Sequence, residues 1–361
     1  MAEDQQRRLG DDFEKAERRI EKAMEMVLNP PEVEVGTTPH DVVYQENKLR
    51  VLRYRPVTKK VSPIPLLMVP AMINRYYVLD LKPGRSLVEY LLGRGIDVYM
   101  LDWGVPGSED RVLTWDHYIT VYLHNVVKQV KKVSKAKRVS LLGYCMGGTM
   151  TVIYASFYPD VVRNLVTLTA PVNFHDSGLL SIWTKKEYFN VDKVVDVLGN
   201  VPPHLMQGVF TMLKPMNQFS KLVSLADKLD DDDFVDLFFA METWVNDNIP
   251  FPGEAFRKYI RDCYQENLLC QNKMEVGGQL VDLKRITSAL LIIAAEKDHI
   301  CPPDSATILQ DLVSSAEKQV VILPSGHVGI VSGGVASQFL WPALGDWIAA
   351  RSDAAPPPTS P

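Results

Sequence analysis

One stretch limits the fold more than any other: Leu142-Gly143-Tyr144-Cys145-Met146-Gly147-Gly148-Thr149. It closes a mostly apolar, strand-like run, Val139 to Leu142, and opens a helical pattern, Met146 to Tyr158. Gly143 to Gly147 therefore reads as a G-x-C-x-G nucleophile elbow, a sharp strand-to-helix turn that pushes one side chain into a cleft. A Cβ at either glycine would clash across so tight a turn. The helix N-terminus behind Cys145 favours negative charge and helps the thiol ionise. Serine is the usual residue at this place, so cysteine narrows the chemistry.

The periods on either side of the elbow alternate. Val42 to Tyr54 reads as two short strands joined at Glu46-Asn47, and Leu66 to Val69 as a buried strand. Ser86 to Gly93 is a predicted helix, Ile96 to Trp103 a strand, and Asp116 to Val133 a helix leading to the strand before Cys145. Leu165 to Thr169, Ala289 to Ala295 and Gln319 to Leu323 add strands, and Gln338 to Ala350 a last helix. Strands separated by helices imply right-handed crossovers and a mostly parallel sheet covered on both faces. Between residues 173 and 283 the alternation gives way to helical patterns rich in aromatics, among them Trp183, Phe189, Phe210, Phe239 and Trp244. The predicted fold is an α/β-hydrolase fold. Its core spans residues 32–172 and 284–351, with an inserted helical cap at 173–283.

An amphipathic helix over residues 10–28 presents Phe13, Ala16, Ile20, Ala23 and Val27 on one face, and Asn29-Pro30-Pro31 stops it. Residues 1–31 thus form an N-terminal helical arm, expected to dock on its own domain rather than on a partner helix. Residues 352–361 read as a disordered, proline-rich tail. The acidic run Asp230 to Asp233 is expected to be a solvated turn capping the next helix.

The chain's 361 residues carry a formal net charge of −5, which gives no electrostatic case for nucleic acid or an anionic membrane. Met1 to Arg19 lack the apolar core of a signal peptide, and no apolar run approaches the roughly 20 residues that span a bilayer. Cys145, Cys263, Cys270 and Cys301 are too scattered for a disulfide framework, so the cytoplasm is the expected compartment. Cys263 and Cys270 recur at helical spacing and read as packed thiols on one face rather than metal ligands.

In this fold the chain order is nucleophile, acid, histidine, each on a loop after a strand. Asp298, in Ala295-Glu296-Lys297-Asp298-His299, is the expected acid, and His327, in Pro324-Ser325-Gly326-His327-Val328-Gly329, the expected base. Glu296 is a second choice of acid because it lies closer to the strand body. His299 is a second choice of base because adjacent loop residues seldom aim at one another. The remaining histidines fall in unrelated segments. For the oxyanion hole, the backbone N–H of Met146 is one donor and that of Ile73, in the loop Pro70 to Asn74, the other, with Met72 the neighbouring choice. The basic cluster from Lys128 to Arg138 reads as a solvated helix end, with phosphate binding the lesser alternative.

A thiolate attacking an acyl thioester makes another thioester, so the acyl group stays activated until an alcohol takes it as an oxoester. Cysteine at the elbow therefore suits transfer of acyl groups from thioesters to alcohols, provided the cap excludes water. Cysteine hydrolases acting on esters, dienelactones or polyester share the elbow and are the alternative. A noncatalytic granule-coat protein is a further one.

The motifs resemble those of polyhydroxyalkanoate synthases, specifically the catalytic subunit of the two-component class III or IV enzymes. The similarity runs from about Glu34 to Arg351. It includes Ile73-Asn74-Arg75, Leu79-Asp80-Leu81, Asp97 to Gly104, Gly143 to Gly148, Gly253-Glu254-Ala255-Phe256, Asp298-His299 with Pro302, and Gly326-His327-Val328-Gly329. The resemblance implies an acyltransferase that polymerises (R)-3-hydroxyacyl-CoA, such as 3-hydroxybutyryl-CoA, and releases coenzyme A. On matching positions, Cys145 holds the growing chain, His327 activates it and Asp298 completes the triad. Whether Asp298 or His327 deprotonates the incoming 3-hydroxyl stays open. The family further implies a polyester granule surface as workplace, a second synthase subunit, a homo-oligomer, and no cofactor or metal beyond the coenzyme A of the substrate.

Overall fold

The computed structural model describes residues 2–352. The expected tail lies outside the described residues except for Ser352, which is buried at the end of a helix rather than in a disordered segment. Eight strands form one sheet. They are β1 (His40–Glu46), β2 (Leu49–Tyr54), β3 (Leu66–Val69), β4 (Val98–Asp102), β5 (Val139–Tyr144), β6 (Val162–Leu168), β7 (Ala289–Ala295) and β8 (Lys318–Leu323). Their order across the sheet is β1-β2-β4-β3-β5-β6-β7-β8. The β1-β2 hairpin is antiparallel, β2 joins β4 antiparallel, and every later pairing is parallel.

All six residues of β5 are buried, as a strand covered on both faces requires. Leu141 faces one core and Leu142 the other, the period of two inherent in a strand. The first core packs the long helix that starts at Trp115 and α4 (Met146–Phe157) on one face of the sheet. The former carries a π-helical segment, Tyr118–Leu123, before its α-helical end α3 (His124–Ser134). The second core packs α2 (Leu87–Gly93) and the C-terminal helix Trp341–Ser352 against the opposite face. Ser86 caps α2 by accepting the Glu89 N–H at 3.0 Å.

The chain leaves the sheet after β6 and returns at β7 by way of a helical cap. Its helices are α5 (Leu179–Trp183), α6 (Val191–Leu198), α7 (Pro203–Leu213), α8 (Asn217–Asp227), α9 (Asp232–Asn246) and α10 (Gly253–Lys258). Asp231 starts α9 by accepting the Phe234 N–H at 3.1 Å, so the acidic run includes a helix cap. A π-helical turn, Tyr259–Gln265, continues α10. It ends before Asn267, whose φ of 50° breaks the helix. Cys270 therefore falls in the following turns and does not share a helical face with buried Cys263, contrary to the expectation from spacing.

The N-terminal helix, α1, spans Ala2–Leu28 and lies on the cap rather than on the sheet. Of the expected apolar face only Ala23 is buried, against Leu225, Ala226, Leu229 and Phe239, and Arg19 pairs with Asp230. Phe13, Ile20 and Val27 stay exposed.

Candidate active site

β5 runs into the elbow, where Cys145 takes φ 54° and ψ −126°. This backbone region disfavours L side chains and costs on the order of 1–3 kcal/mol, so it persists only where the surroundings enforce it. Here the Cys145 N–H donates to the Leu168 carbonyl at 2.9 Å, and the Cys145 carbonyl accepts the Gly148 N–H at 2.8 Å. Glycine is needed on both sides for reasons of space. A Cβ on Gly143 would run into Gly148 Cα and Thr151 Oγ1, and one on Gly147 would run into the Val69 and Pro70 carbonyls. The elbow is thus pressed against the loop that follows β3.

β7 and β8 lie on the far side of β6 from β5, and their C-terminal ends bring Asp298 and His327 to Cys145. His327 Nδ1 is 2.6 Å from Asp298 Oδ2. The other carboxylate oxygen accepts the N–H groups of Ile300 (2.8 Å) and Cys301 (2.9 Å), which fixes the carboxylate plane. With Nδ1–H given to Asp298, Nε2 is the nitrogen left for the thiol, and the ring lies within hydrogen-bonding reach of Cys145. Tyr144 supports it from below, its ring 5.5 Å from the imidazole and its hydroxyl donating to the His327 carbonyl at 3.3 Å. The Asp298 side chain is 0% exposed and that of His327 9%, so the pair is shielded from bulk water. Burial disfavours the imidazolium, but the Asp298 carboxylate and Cys145 outweigh it and hold the His327 pKa well above the ordinary histidine value.

The competing residues point elsewhere. Glu296 and His299 are exposed. Cys301 is buried, and its N–H holds Asp298. The basic cluster sits where α3 ends and β5 begins, a strand length of roughly 20 Å from the elbow. Among the described residues no group of three or more His, Cys, Asp or Glu could hold a metal ion.

Met146 opens α4, and the N–H of a first helical residue has no partner within its helix. Ile73 lies in the loop after β3, its carbonyl accepting the Ile249 N–H at 3.1 Å, and it lines the same cavity as Cys145 and Met146. Met72 beside it packs into the first core, as does the Ile73 side chain, but Met72 is not among the residues lining that cavity. Trp103 Nε1 donates to the Pro70 carbonyl at 3.0 Å and braces that loop.

Two cavities meet at Cys145. One, about 220 Å³, runs up into the cap between Trp183, Phe189, Phe210, Phe251 and Phe256. The other, about 130 Å³, lies on the His327 side and carries an amide chain. In that chain Asn74 Nδ2 donates to Asn248 Oδ1, and Asn248 Nδ2 donates to Gln207 Oε1 at 2.8 Å. These cap amides had no sequence signal, because isolated Asn and Gln in helical patterns read as surface.

A model of the α/β-hydrolase fold matches residues 64–333, and a model described as the poly-beta-hydroxybutyrate polymerase (PhaC) N-terminus matches residues 8–91. Among solved structures, the monoacylglycerol lipase of Paleococcus ferrophilus superimposes with a TM-score of 0.53 over 84% of this chain and 99% of that one. At 14% identity that likeness concerns the fold alone. The protein is an α/β-hydrolase-fold protein with cysteine at the elbow.

Among curated relatives, the poly(3-hydroxyalkanoate) polymerase subunit PhaC of Haloferax mediterranei is 40% identical over 98% of this chain and 72% of its own length. That of Allochromatium vinosum is 40% identical over 92% and 95%. The chain belongs to the poly(3-hydroxyalkanoate) polymerase (PhaC) family, and is an enzyme of the acyltransferase type.

Proposed function

We propose that the protein builds polyester from (R)-3-hydroxyacyl-CoA, 3-hydroxybutyryl-CoA foremost, through an acyl thioester on Cys145. The observation that carries this reading is a cysteine at the elbow, within reach of a histidine bonded at 2.6 Å to a buried carboxylate, on the floor of an apolar chamber.

His327 Nε2 takes the Cys145 proton, and the thiolate adds to the thioester carbonyl. The oxyanion that forms is received by the N–H groups of Met146 and Ile73. Collapse breaks the bond to the coenzyme A sulfur, which leaves with the proton from His327, and the acyl group remains on Cys145. In the second half a 3-hydroxyl gives its proton to His327 and attacks the acyl thioester, forming the oxoester and returning the thiol. We assign both halves to His327 because its Nε2 is left free once Nδ1–H is given to Asp298, whereas both Asp298 oxygens already accept hydrogen bonds. The aromatic chamber keeps water from the thioester, which favours transfer over hydrolysis.

The chain on Cys145 grows into an insoluble product, so we place the enzyme at the surface of the polyester it makes. A second synthase subunit and a homo-oligomeric state belong to the same proposal and rest on the resemblance to two-component enzymes. Coenzyme A enters as part of the substrate, and the reaction as drawn draws on no other cofactor. No helix among the described residues is long and apolar enough to cross a membrane.

Adding 3-hydroxybutyryl-CoA tests the reading. The expected result is free coenzyme A together with turbidity from polymer, both lost in Cys145→Ala. Release of monomeric hydroxy acid without polymer identifies a hydrolase, and polymer formation in cells left unchanged by Cys145→Ala identifies a scaffold.

A further inference from the structure

The chamber above Cys145 is nearly all hydrocarbon, and the hydroxyls among its lining belong to Thr184, Tyr259 and Tyr264. Tyr259 and Tyr264, from the π-helical turn that continues α10, line it together with Cys145. Tyr259 is 4% exposed. The two rings are 5.6 Å apart and nearly perpendicular, and Phe174 contacts both, at 5.7 and 4.9 Å. Trp115 packs on Tyr259 with the ring centroids 4.8 Å apart and the planes tilted. These contacts leave the rings little freedom to turn away. Among the described residues neither phenol oxygen makes a hydrogen bond. The Thr184 hydroxyl in the same wall is already spent on the Leu180 carbonyl at 2.6 Å.

Hydroxyls that lack a protein partner and are held fixed at a reaction chamber are positioned for something that enters it, because whatever fills the chamber must either bond them or leave them desolvated. Burial pushes both phenol pKa values well above the ordinary tyrosine value, so each keeps its proton and can donate. Cys145 is, after burial, the group that bears most strongly on Tyr264, and it bears on Tyr259 as well. The acyl carbonyl on Cys145 is directed to the Met146 and Ile73 N–H groups, so it does not need these donors. The next oxygen along the chain is the one on carbon 3, a hydroxyl in the first unit and an ester oxygen thereafter.

We infer that Tyr259 and Tyr264 form a donor pair that reads the oxygen on carbon 3 of the acyl group on Cys145. The pair makes the chamber selective for 3-oxygenated chains over unsubstituted chains of equal length. The inference rests on the polymerase reading above and deepens it. A plain alkyl chain of the same size fits the hydrocarbon wall but leaves the phenols desolvated and unmatched. A site built to bond an oxygen rejects the analogue lacking it far more strongly than a pocket that only measures size.

The test is single-turnover acylation of excess enzyme by 3-hydroxybutyryl-CoA or butyryl-CoA, with the Cys145 adduct followed by intact-protein mass. The native enzyme is expected to react with the first at least about tenfold faster. In Tyr259→Phe, Tyr264→Phe and the double variant the ratio falls towards one, the 3-hydroxybutyryl rate dropping while the butyryl rate holds or rises. A native ratio near one overturns the inference. So does an unchanged ratio in the folded double variant, or an equal fall in both rates, which is what a merely structural role produces. Failure of the native enzyme to take either thioester onto Cys145, alone and with a second synthase subunit added, is a separate outcome, one that refutes the polymerase reading and the inference with it.

Discussion

Replacing Asp298 by asparagine tests the hydrogen-bond logic of the site with little change in shape. The new amide has two orientations. With its oxygen kept on the Ile300 and Cys301 N–H groups, the NH2 faces His327 Nδ1, which must then accept. That moves the ring proton to Nε2, where it can no longer take the proton of Cys145. Turning the amide over restores the useful tautomer but sets its NH2 against two buried N–H donors, at about 1–3 kcal/mol for each one left unmatched. The inactive orientation is therefore favoured by about 2–6 kcal/mol, a factor of about 30 to about 3 × 10⁴. Asp298→Asn should slow Cys145 acylation by that factor while costing about 1–3 kcal/mol of stability, the worth of one charge-assisted bond. Rapid-quench mass spectrometry gives the rate and a urea titration the stability. A well-folded variant acylated within about threefold of the native rate refutes the assignment of Asp298 as the group that orients His327.

Gly147→Ala should cost at least about 2 kcal/mol and slow acylation about 100-fold, because its Cβ meets the Val69 and Pro70 carbonyls and displaces the loop bearing Ile73; denaturation and single-turnover assays check both. The raised His327 pKa should show in stability: below about pH 6.5 the charged ring contributes fully, and the contribution is lost as pH rises through the folded-state value. Tm should therefore fall more between about pH 6 and about pH 9 in the native protein than in Asp298→Asn, whose ring lacks the main cause of the raised value. Ala23→Glu places a charge against Leu225, Leu229 and Phe239 and should release α1, seen as faster proteolysis and hydrogen exchange in residues 13–28 with the core unaffected.

The strands most legible in the sequence were those sealed on both faces. β3 and β7 begin and end where the apolar runs Leu66–Val69 and Ala289–Ala295 do, since any polar residue there would be buried without water. Chain order served the elbow, Asp298 and His327 equally well, because in a parallel sheet every strand's C-terminal end reaches the same edge. The cap resisted reading for a related reason. Its helices surround a cavity rather than a solid core, so an aromatic facing the chamber and one facing the interior share the same helical spacing. Tyr259 and Tyr264 are indistinguishable from packing residues until the empty space beside them is seen. The N-terminal arm misled in detail, as its apolar stripe is wider than the surface that α8 and α9 offer it.

The linear order of the chemistry has a consequence for a nascent chain. Cys145 leaves the ribosome with the first half of the sheet, whereas Asp298 and His327 ride on its last two strands, beyond the whole cap. Roughly 150 residues separate the thiol from Asp298 and roughly 180 from His327, a delay of about 9–36 s for the proton acceptor at ordinary translation speeds. During that interval the sulfur has neither proton acceptor nor roof. Thioesters in the surrounding cell meet an ordinary cysteine until the C-terminal strands close the sheet, so reactivity is switched on by the completion of folding itself.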